Sequence, residues 1–334
     1  MSVFTINKAS EFKLAPLSIV EDKQLIRNTN LINGGIASVS IICNLNEAKD
    51  YIGENWKVYV KNRDRVIPKN KSYGEFKSKY HTFIKLQQAF DLANIKSTFR
   101  TFYDLAFAPG AFTEGLLRLH PIDKCFGISL KCGKESLKVD ETIAADKRFK
   151  IISPDDGNMY KKVNLDISIA EVGKVDLVCA DGGFGVYELG INENLQSLAI
   201  YHLIFCELVY AANFCKEGGT FVCKLFDTFD KYTANVIQAM TIYFDEVKIT
   251  KPEESRLVNS ERYIVCNGFR QNEELTSHLN KLLEISENSN PGLIFEELDH
   301  DFLHSLKFAT ETIALAQTKE IYRVVRKCKS FNRK

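Results

Sequence analysis

Apolar and polar positions along this chain follow two rhythms, and the places where one gives way to the other outline its elements. Between residues 80 and 92 the apolar side chains Phe83, Leu86 and Phe90 recur at helical spacing, which predicts a helix. Residues 102–107 then read as a strand, Ala108-Pro109-Gly110 as a tight turn, and the periodic stretch up to Leu119 as a second helix. Further short apolar runs at 124–130, 150–153, 175–180, 220–225, 246–250 and 263–269 predict strands separated by helical stretches. Such alternation argues for an α/β fold with a mostly parallel sheet flanked by helices, its ligands bound at the carboxyl ends of the strands.

The flanks read differently. Residues 1–75 suggest an N-terminal appendage, irregular in pattern, with one strand-like run at 36–43 and a basic run of Lys57, Lys61, Arg63, Arg65, Lys69 and Lys71. Residues 76–270 hold the core, and 271–334 a polar, helical C-terminal appendage broken at Ser289-Asn290-Pro291-Gly292 and ending in a basic tail. The most apolar stretch, 198–214, is interrupted by His202 and Glu207, which predicts a buried core helix rather than a membrane span. No apolar signal segment opens the sequence, so the expectation is a nuclear or cytoplasmic protein, cytoplasmic if viral, not secreted and without a membrane partner.

Composition narrows the picture only slightly. Hydrophobic residues make up 45% and charged residues 26% of 334 positions, the mix of a globular protein. A net charge of +1 means that any nucleic-acid contact must come from a local basic surface. The nine cysteines form no C-x-x-C pair, and Cys43, Cys179, Cys206, Cys223 and Cys266 sit in apolar runs, as buried reduced thiols would.

The chemistry-bearing residues fall at strand ends. Asp104 and the turn Ala108, Pro109, Gly110, Ala111, Phe112 form a strand-turn-helix of the kind that holds nucleotide-like ligands, although it lacks the G-x-G-x-x-G of dinucleotide enzymes. Asp181 follows the run at 175–180, Lys224 ends Gly218-Gly-Thr-Phe-Val-Cys, and Glu261 precedes the last strand. Taken singly, each has an ordinary reading as a snorkelling lysine or a solvated strand-end carboxylate, and Lys85 as a solvent-facing helical lysine.

The order Lys85, Asp181, Lys224, Glu261, with the Ala108–Phe112 turn between the first two, resembles the Lys-Asp-Lys-Glu tetrad of the FtsJ/RrmJ-type 2′-O-methyltransferases. Within that group the chain is most similar to the cap-specific mRNA nucleoside-2′-O-methyltransferases. The shared words are Ala180-Asp-Gly-Gly-Phe, Glu193-Asn-Leu-Gln, Gly218-Gly-Thr-Phe-Val-Cys-Lys-Leu-Phe-Asp and Lys251-Pro-Glu-Glu-Ser-Arg-Leu-Val-Asn-Ser-Glu-Arg-Tyr-Ile-Val-Cys. The resemblance covers residues 77–270.

It implies a Rossmann-like, S-adenosylmethionine-dependent enzyme that methylates the ribose 2′-OH of the first transcribed nucleotide of capped mRNA, without a metal. Lys224 is the candidate base, its pKa drawn down by burial and by Lys85, with Asp181 and Glu261 orienting it. The corner from Ala108 to Phe112 would receive the methionine portion of the cofactor and Asp156 the adenine, with Asp104 and Asp181 beside them; Asp155-Asp156-Gly157 also reads as a plain turn. Three departures stand out: Ala111 replaces the usual second glycine, residues 127–131 offer no acidic ribose ligand, and Lys77 or Lys79 could take the place of Lys85.

Capped RNA asks for basic residues interleaved with aromatic faces, which points to Trp56, Lys61, Arg63 and Arg65, with Asn194 and Arg256 as further candidates. A solvated loop, a helix N-cap at Asn194 and an ion pair at Arg256 are the plainer alternatives. The expected partners are capped mRNA and other capping or transcription components. Two rival functions remain: a ribosomal or transfer RNA 2′-O-methyltransferase, and a catalytically silent subunit that binds RNA or cofactor.

Overall fold

The computed structural model describes residues 2–21, 36–69, 72–73, 76–77, 80, 82–131, 138–153, 156–183 and 193–331. Lys71, Lys79, Asp155, Phe184 and the end of the basic tail lie outside the described residues, as does the side chain of Lys77. In chain order come strand β1 (Ser2–Ile6) and helices α1 (Val39–Glu54), α2 (Trp56–Val66) and α3 (Thr82–Ala93). Next are β2 (Thr101–Leu105), α4 (Ala111–Leu119), β3 (Lys124–Ile128), α5 (Glu141–Ala144), β4 (Phe149–Ile151), α6 (Lys162–Glu171) and β5 (Val175–Ala180). The remainder runs α7 (Gln196–Ala199), α8 (Tyr201–Phe214), β6 (Cys215–Leu225), α9 (Lys231–Tyr243), β7 (Phe244–Lys251), β8 (Arg262–Phe269), α10 (Glu273–Ile285) and α11 (His300–Phe331).

Among the described residues one eight-stranded sheet runs β1-β7-β8-β6-β5-β2-β3-β4. The strands from β6 to β4 are parallel, β8 lies antiparallel between β6 and β7, and β1 pairs antiparallel with β7. The chain steps outward from β2 to β3 and β4, then returns to place β5 on the other side of β2. That reversal leaves a crevice at the carboxyl ends of β2 and β5, where α/β sheets bind ligands.

The pattern of each element explains its place. Strand β5, Val-Asp-Leu-Val-Cys-Ala, is almost wholly buried, as a central parallel strand covered on both faces should be. Helix α8 is buried at Glu207 and on nearly every side, so it is the core helix expected at 198–214. Helices α9 and α10 start where Asp230 and Asn272 accept hydrogen bonds from the backbone of Thr233 and Leu275.

Three readings are corrected. The strand foreseen at 36–43 is the start of α1, whose buried positions Ile42, Leu45, Ala48, Lys49 and Ile52 follow helical spacing. That period emerges only over a stretch longer than the apolar run itself. In consequence Cys43 faces outward and is an exposed thiol rather than a buried one. The basic stretch after Trp56 is likewise helix α2 rather than a loop.

Strand β1 and helices α1, α2 and α11 share one continuous core with the central strands, through Ile6, Leu45, Tyr59, Ile313 and Val324. Helix α11 packs along β1, α1 and α2. No helix among the described residues is long and apolar enough to cross a membrane.

Candidate active site

Four charged side chains remote in sequence meet at the carboxyl end of the sheet. The β5–β6 register pairs Ala180 with Cys223, so the next residue of each strand, Asp181 and Lys224, emerge side by side. Lys224 Nζ lies 3.3 Å from Asp181 Oδ1 and donates to the Asp181 carbonyl at 2.8 Å. Glu261 immediately precedes β8, and Lys85, in the first turn of α3, reaches it: Nζ lies 2.7 Å from Oε1 and 2.9 Å from Oε2. At 18% exposure Lys85 is not the solvent-facing helical lysine of the plain reading.

Sequence reasoning missed several groups that hold this quartet. Tyr263 pairs with Lys224 across β8 and β6, and its hydroxyl donates to Asp181 Oδ1 at 2.9 Å. The signal was present, since residues two apart on a strand share a face and Tyr263 follows Glu261 by two. Lys251, buried at the end of β7, donates to the Asn259 carbonyl at 2.8 Å, to Asn259 Oδ1 at 2.9 Å and to the Glu261 carbonyl. It thus fastens both ends of the loop that presents Glu261, and burial pushes its own pKa well below the lysine range.

The electrostatics correct one expectation. Burial pushes the Lys224 ammonium down, as foreseen, but Asp181, Glu261 and Glu207 outweigh it and hold Lys224 above its ordinary value. Burial also pushes the Glu261 carboxyl up, and here Lys85 and Lys224 win, leaving it below the usual range. Asp181 lies above that range, because burial exceeds the pull of Lys224 and Glu261 adds to it. Burial raises the Asp104 carboxyl to about 7, against a hydrogen bond from Thr113 Oγ1 at 2.7 Å.

A cavity of about 410 Å³ opens at the crevice between β2 and β5. Of the residues proposed for a cofactor, Asp104, Ala108, Pro109, Ala111, Phe112 and Asp181 line it, and so does Lys224. Gly110 does not. At φ 116° it turns the chain into α4, and a Cβ there would meet Ile143 Cδ1 at 2.3 Å, so its missing side chain admits α5. Asp156 also stands outside the lining: it accepts from Lys161 Nζ at 2.5 Å and from the Asn158 amide at 2.7 Å, a turn-forming role. Its neighbours Gly157 and Asn158 are the ones that border the cavity.

A second cavity, of about 340 Å³, is bordered by the other two members of the quartet, Lys85 and Glu261. Trp56, Arg63 and Arg256 line it, together with Tyr59, Lys69 and Phe226, whereas Lys61, Arg65 and Asn194 do not. Trp56 is half exposed, with its ring centroid 5.6 Å from that of Tyr59. Arg256 is paired to Asp64 at 2.6 Å, and Asn194 donates to Asp50 Oδ1 at 3.3 Å. The adjoining helix α7 has Leu195, not Asn194, at its N-cap.

The sequence model of the FtsJ-like methyltransferases matches residues 81–269, the span that carries the sheet crevice and all four charged groups. A Caenorhabditis elegans protein described as cap-specific mRNA (nucleoside-2'-O-)-methyltransferase 1 is 33% identical over 199 residues, 56% of this chain and 21% of its own length. Its Caenorhabditis briggsae counterpart 1A is 31% identical over 254 residues, 69% of this chain and 28% of its own. A second Caenorhabditis briggsae protein, described as inactive cap-specific mRNA (nucleoside-2'-O-)-methyltransferase 1B, is 30% identical over 254 residues, 69% of this chain and 29% of its own. The chain thus spans less than a third of each of these relatives. With the family match extending over more than half of its residues, the chain belongs to the FtsJ-like methyltransferase family.

Proposed function

We propose that this protein transfers a methyl group from S-adenosylmethionine to the ribose 2′-OH of the first transcribed nucleotide of capped mRNA. The observation that carries the reading is the position of the quartet between two cavities, with Asp181 and Lys224 bordering one and Lys85 and Glu261 the other. A methyl donor held in one cavity and an acceptor hydroxyl held in the other would meet at the quartet, the proximity that a displacement requires.

The first cavity fits the cofactor by its chemistry. Two carboxyls, Asp104 and Asp181, face a cationic ligand, while Phe107, Pro109, Leu130 and Met159 offer apolar cover of the kind an adenine takes. S-adenosylmethionine, when bound, supplies a methyl group on a sulfonium whose sulfur leaves neutral, so the chemistry asks for no metal. With its own proton released, Lys224 Nζ accepts the proton of the acceptor hydroxyl as that oxygen takes the methyl group, and Asp181, fixed by Tyr263, orients the amine. Positive charge in the first cavity competes with Lys224 for Asp181 and so loosens the Lys224 proton. Lys85 and Glu261 steady the ribose side.

The second cavity supports a capped substrate. Trp56 presents a ring face for a stacked, positively charged guanine, and Arg63, Lys69 and Arg256 suit the phosphates. Residues 1–75 thereby contribute to RNA binding, and α11 braces them. The test is methyl transfer to matched short RNAs with and without a cap: preference for the capped one supports this reading, and equal activity favours a ribosomal or transfer RNA substrate. Because one similar protein is described as inactive, activity of the wild-type chain is the first quantity to measure.

A further inference from the structure

Glu207, the one acidic residue of α8, is fully buried behind the active site. Helix α8 packs on β5 and β6, and Cys223 Sγ of β6 donates to Glu207 Oε2 at 3.1 Å. Besides Cys223, the backbone amide of Gly182 donates to this carboxyl and pulls its pKa down against burial. The other oxygen, Oε1, is turned to the backbone just after Asp181, where a Cβ on Gly182 would come within 2.2 Å of it. A carboxyl sealed in the core is costly even with these two donors, and both of them belong to the strand ends that carry Asp181 and Lys224.

We propose that Glu207 is a positioning residue for the methyl transfer: from behind the Asp181–Gly182 turn, its carboxyl governs how tightly Lys224 holds its proton. The inference rests on the reading of Lys224 as the group that accepts the ribose proton. Lys224 faces Asp181 after β5, Glu261 before β8, Tyr263 on β8 and Glu207 on α8, with Lys85 of α3 drawing on the same carboxylates. Glu207 in turn faces Cys223 and Lys224 of β6, Asp181, and Cys206 of its own helix. Burial pushes the Glu207 carboxyl up to about 7, so its charge changes near neutral pH. Charged, it tightens the Lys224 proton; protonated, it releases that hold.

The test begins without any ligand. In the protein labelled at lysine Cε, the Lys224 signal, identified by its loss in Lys224→Arg, is followed by carbon NMR against pH. The wild type is expected to show a small inflection near pH 7 ahead of the main titration. Glu207→Gln, which keeps the shape and removes the charge, should abolish that inflection and lower the main midpoint by about half a pH unit or more. A wild-type curve without the inflection, an inflection that disappears in Asp104→Asn, the other carboxyl that burial raises to about 7, or an unmoved midpoint in folded Glu207→Gln overturns the proposal; should Glu207→Gln fail to fold, the comparison of the wild type with Asp104→Asn decides. In the methyl-transfer assay the rising limb of kcat for Glu207→Gln should move to lower pH with KM unchanged, and an equal loss at every pH would mark a merely structural role and overturn it. A wild type that moves no methyl group would sink the functional reading while the NMR titration still judges the coupling.

Discussion

Lys224 and Tyr263 face each other across the antiparallel register of β6 and β8, and both reach the same oxygen, Asp181 Oδ1, at 3.3 and 2.9 Å. Two donors from adjoining strands thus fix one carboxylate from a third, so the orientation of Lys224 is set by the sheet rather than by a flexible loop. Tyr263→Phe removes one of those donors and nothing else of its shape. A hydrogen bond to a charged group contributes about 1.5–3 kcal/mol, so methyl transfer should slow by roughly tenfold to a hundredfold. Cofactor affinity should change little, while the melting temperature should fall by several degrees, as loss of a buried hydrogen bond of this size requires.

Lys85 and Glu261 act as one unit. Either Lys85→Ala or Glu261→Ala strands a partly buried charge at the site, and each should reduce the transfer rate by about two orders of magnitude, on the order of 3 kcal/mol. The double variant should be no slower than the worse single one, because the interaction is already lost. A double-mutant cycle on single-turnover rates gives the coupling directly, and additive losses would show the pair acting separately.

Asp104 makes stability depend on pH. Its carboxyl stays protonated in the fold up to about 7, while the unfolded chain releases that proton near the usual carboxylate value. Between those limits the folded state binds more protons, so this group's contribution is full below about pH 4 and is lost as pH rises through about 7. Asp104→Asn keeps an acceptor for Thr113 and abolishes the titration. Melting temperatures taken from pH 5 to pH 8 should fall less steeply in this variant than in the wild type.

The second cavity divides the basic residues of α2 into two sets. Arg63 lines it, whereas Lys61 and Arg65 do not. Trp56→Ala and Arg63→Ala should raise KM for capped RNA several-fold with kcat nearly unchanged, while Lys61→Ala with Arg65→Ala should leave both constants close to wild type. Filter binding at two salt concentrations separates the cases, since loss of a phosphate contact reduces the salt slope by about one.

How far the sequence already disclosed this arrangement differs from residue to residue. Asp181 and Lys224 were legible because each ends an apolar run, and parallel strands bring such ends together whatever the intervening distance. The direction of the Lys224 pKa was not, since it depends on carboxylates that converge from α8, β5 and β8, and no spacing rule weighs three against burial. Glu207 showed only as a break in an apolar stretch; its meaning lies in which strand α8 covers. Gly110 and Asp156, assigned to a ligand, each also carry a local task, since a Cβ on Gly110 would meet Ile143 and Asp156 accepts hydrogen bonds within its own turn. Both are local backbone tasks that compete for the same residue types.

The most direct measurement is single-turnover methyl transfer from S-adenosylmethionine to a short capped RNA by the wild type and by Lys224→Ala, with the digested nucleosides identified by mass spectrometry. The wild type should yield the first nucleoside methylated on its ribose 2′-oxygen, and Lys224→Ala should bind the cofactor yet yield none. A methyl group found on a base, or undiminished transfer by Lys224→Ala, would contradict it.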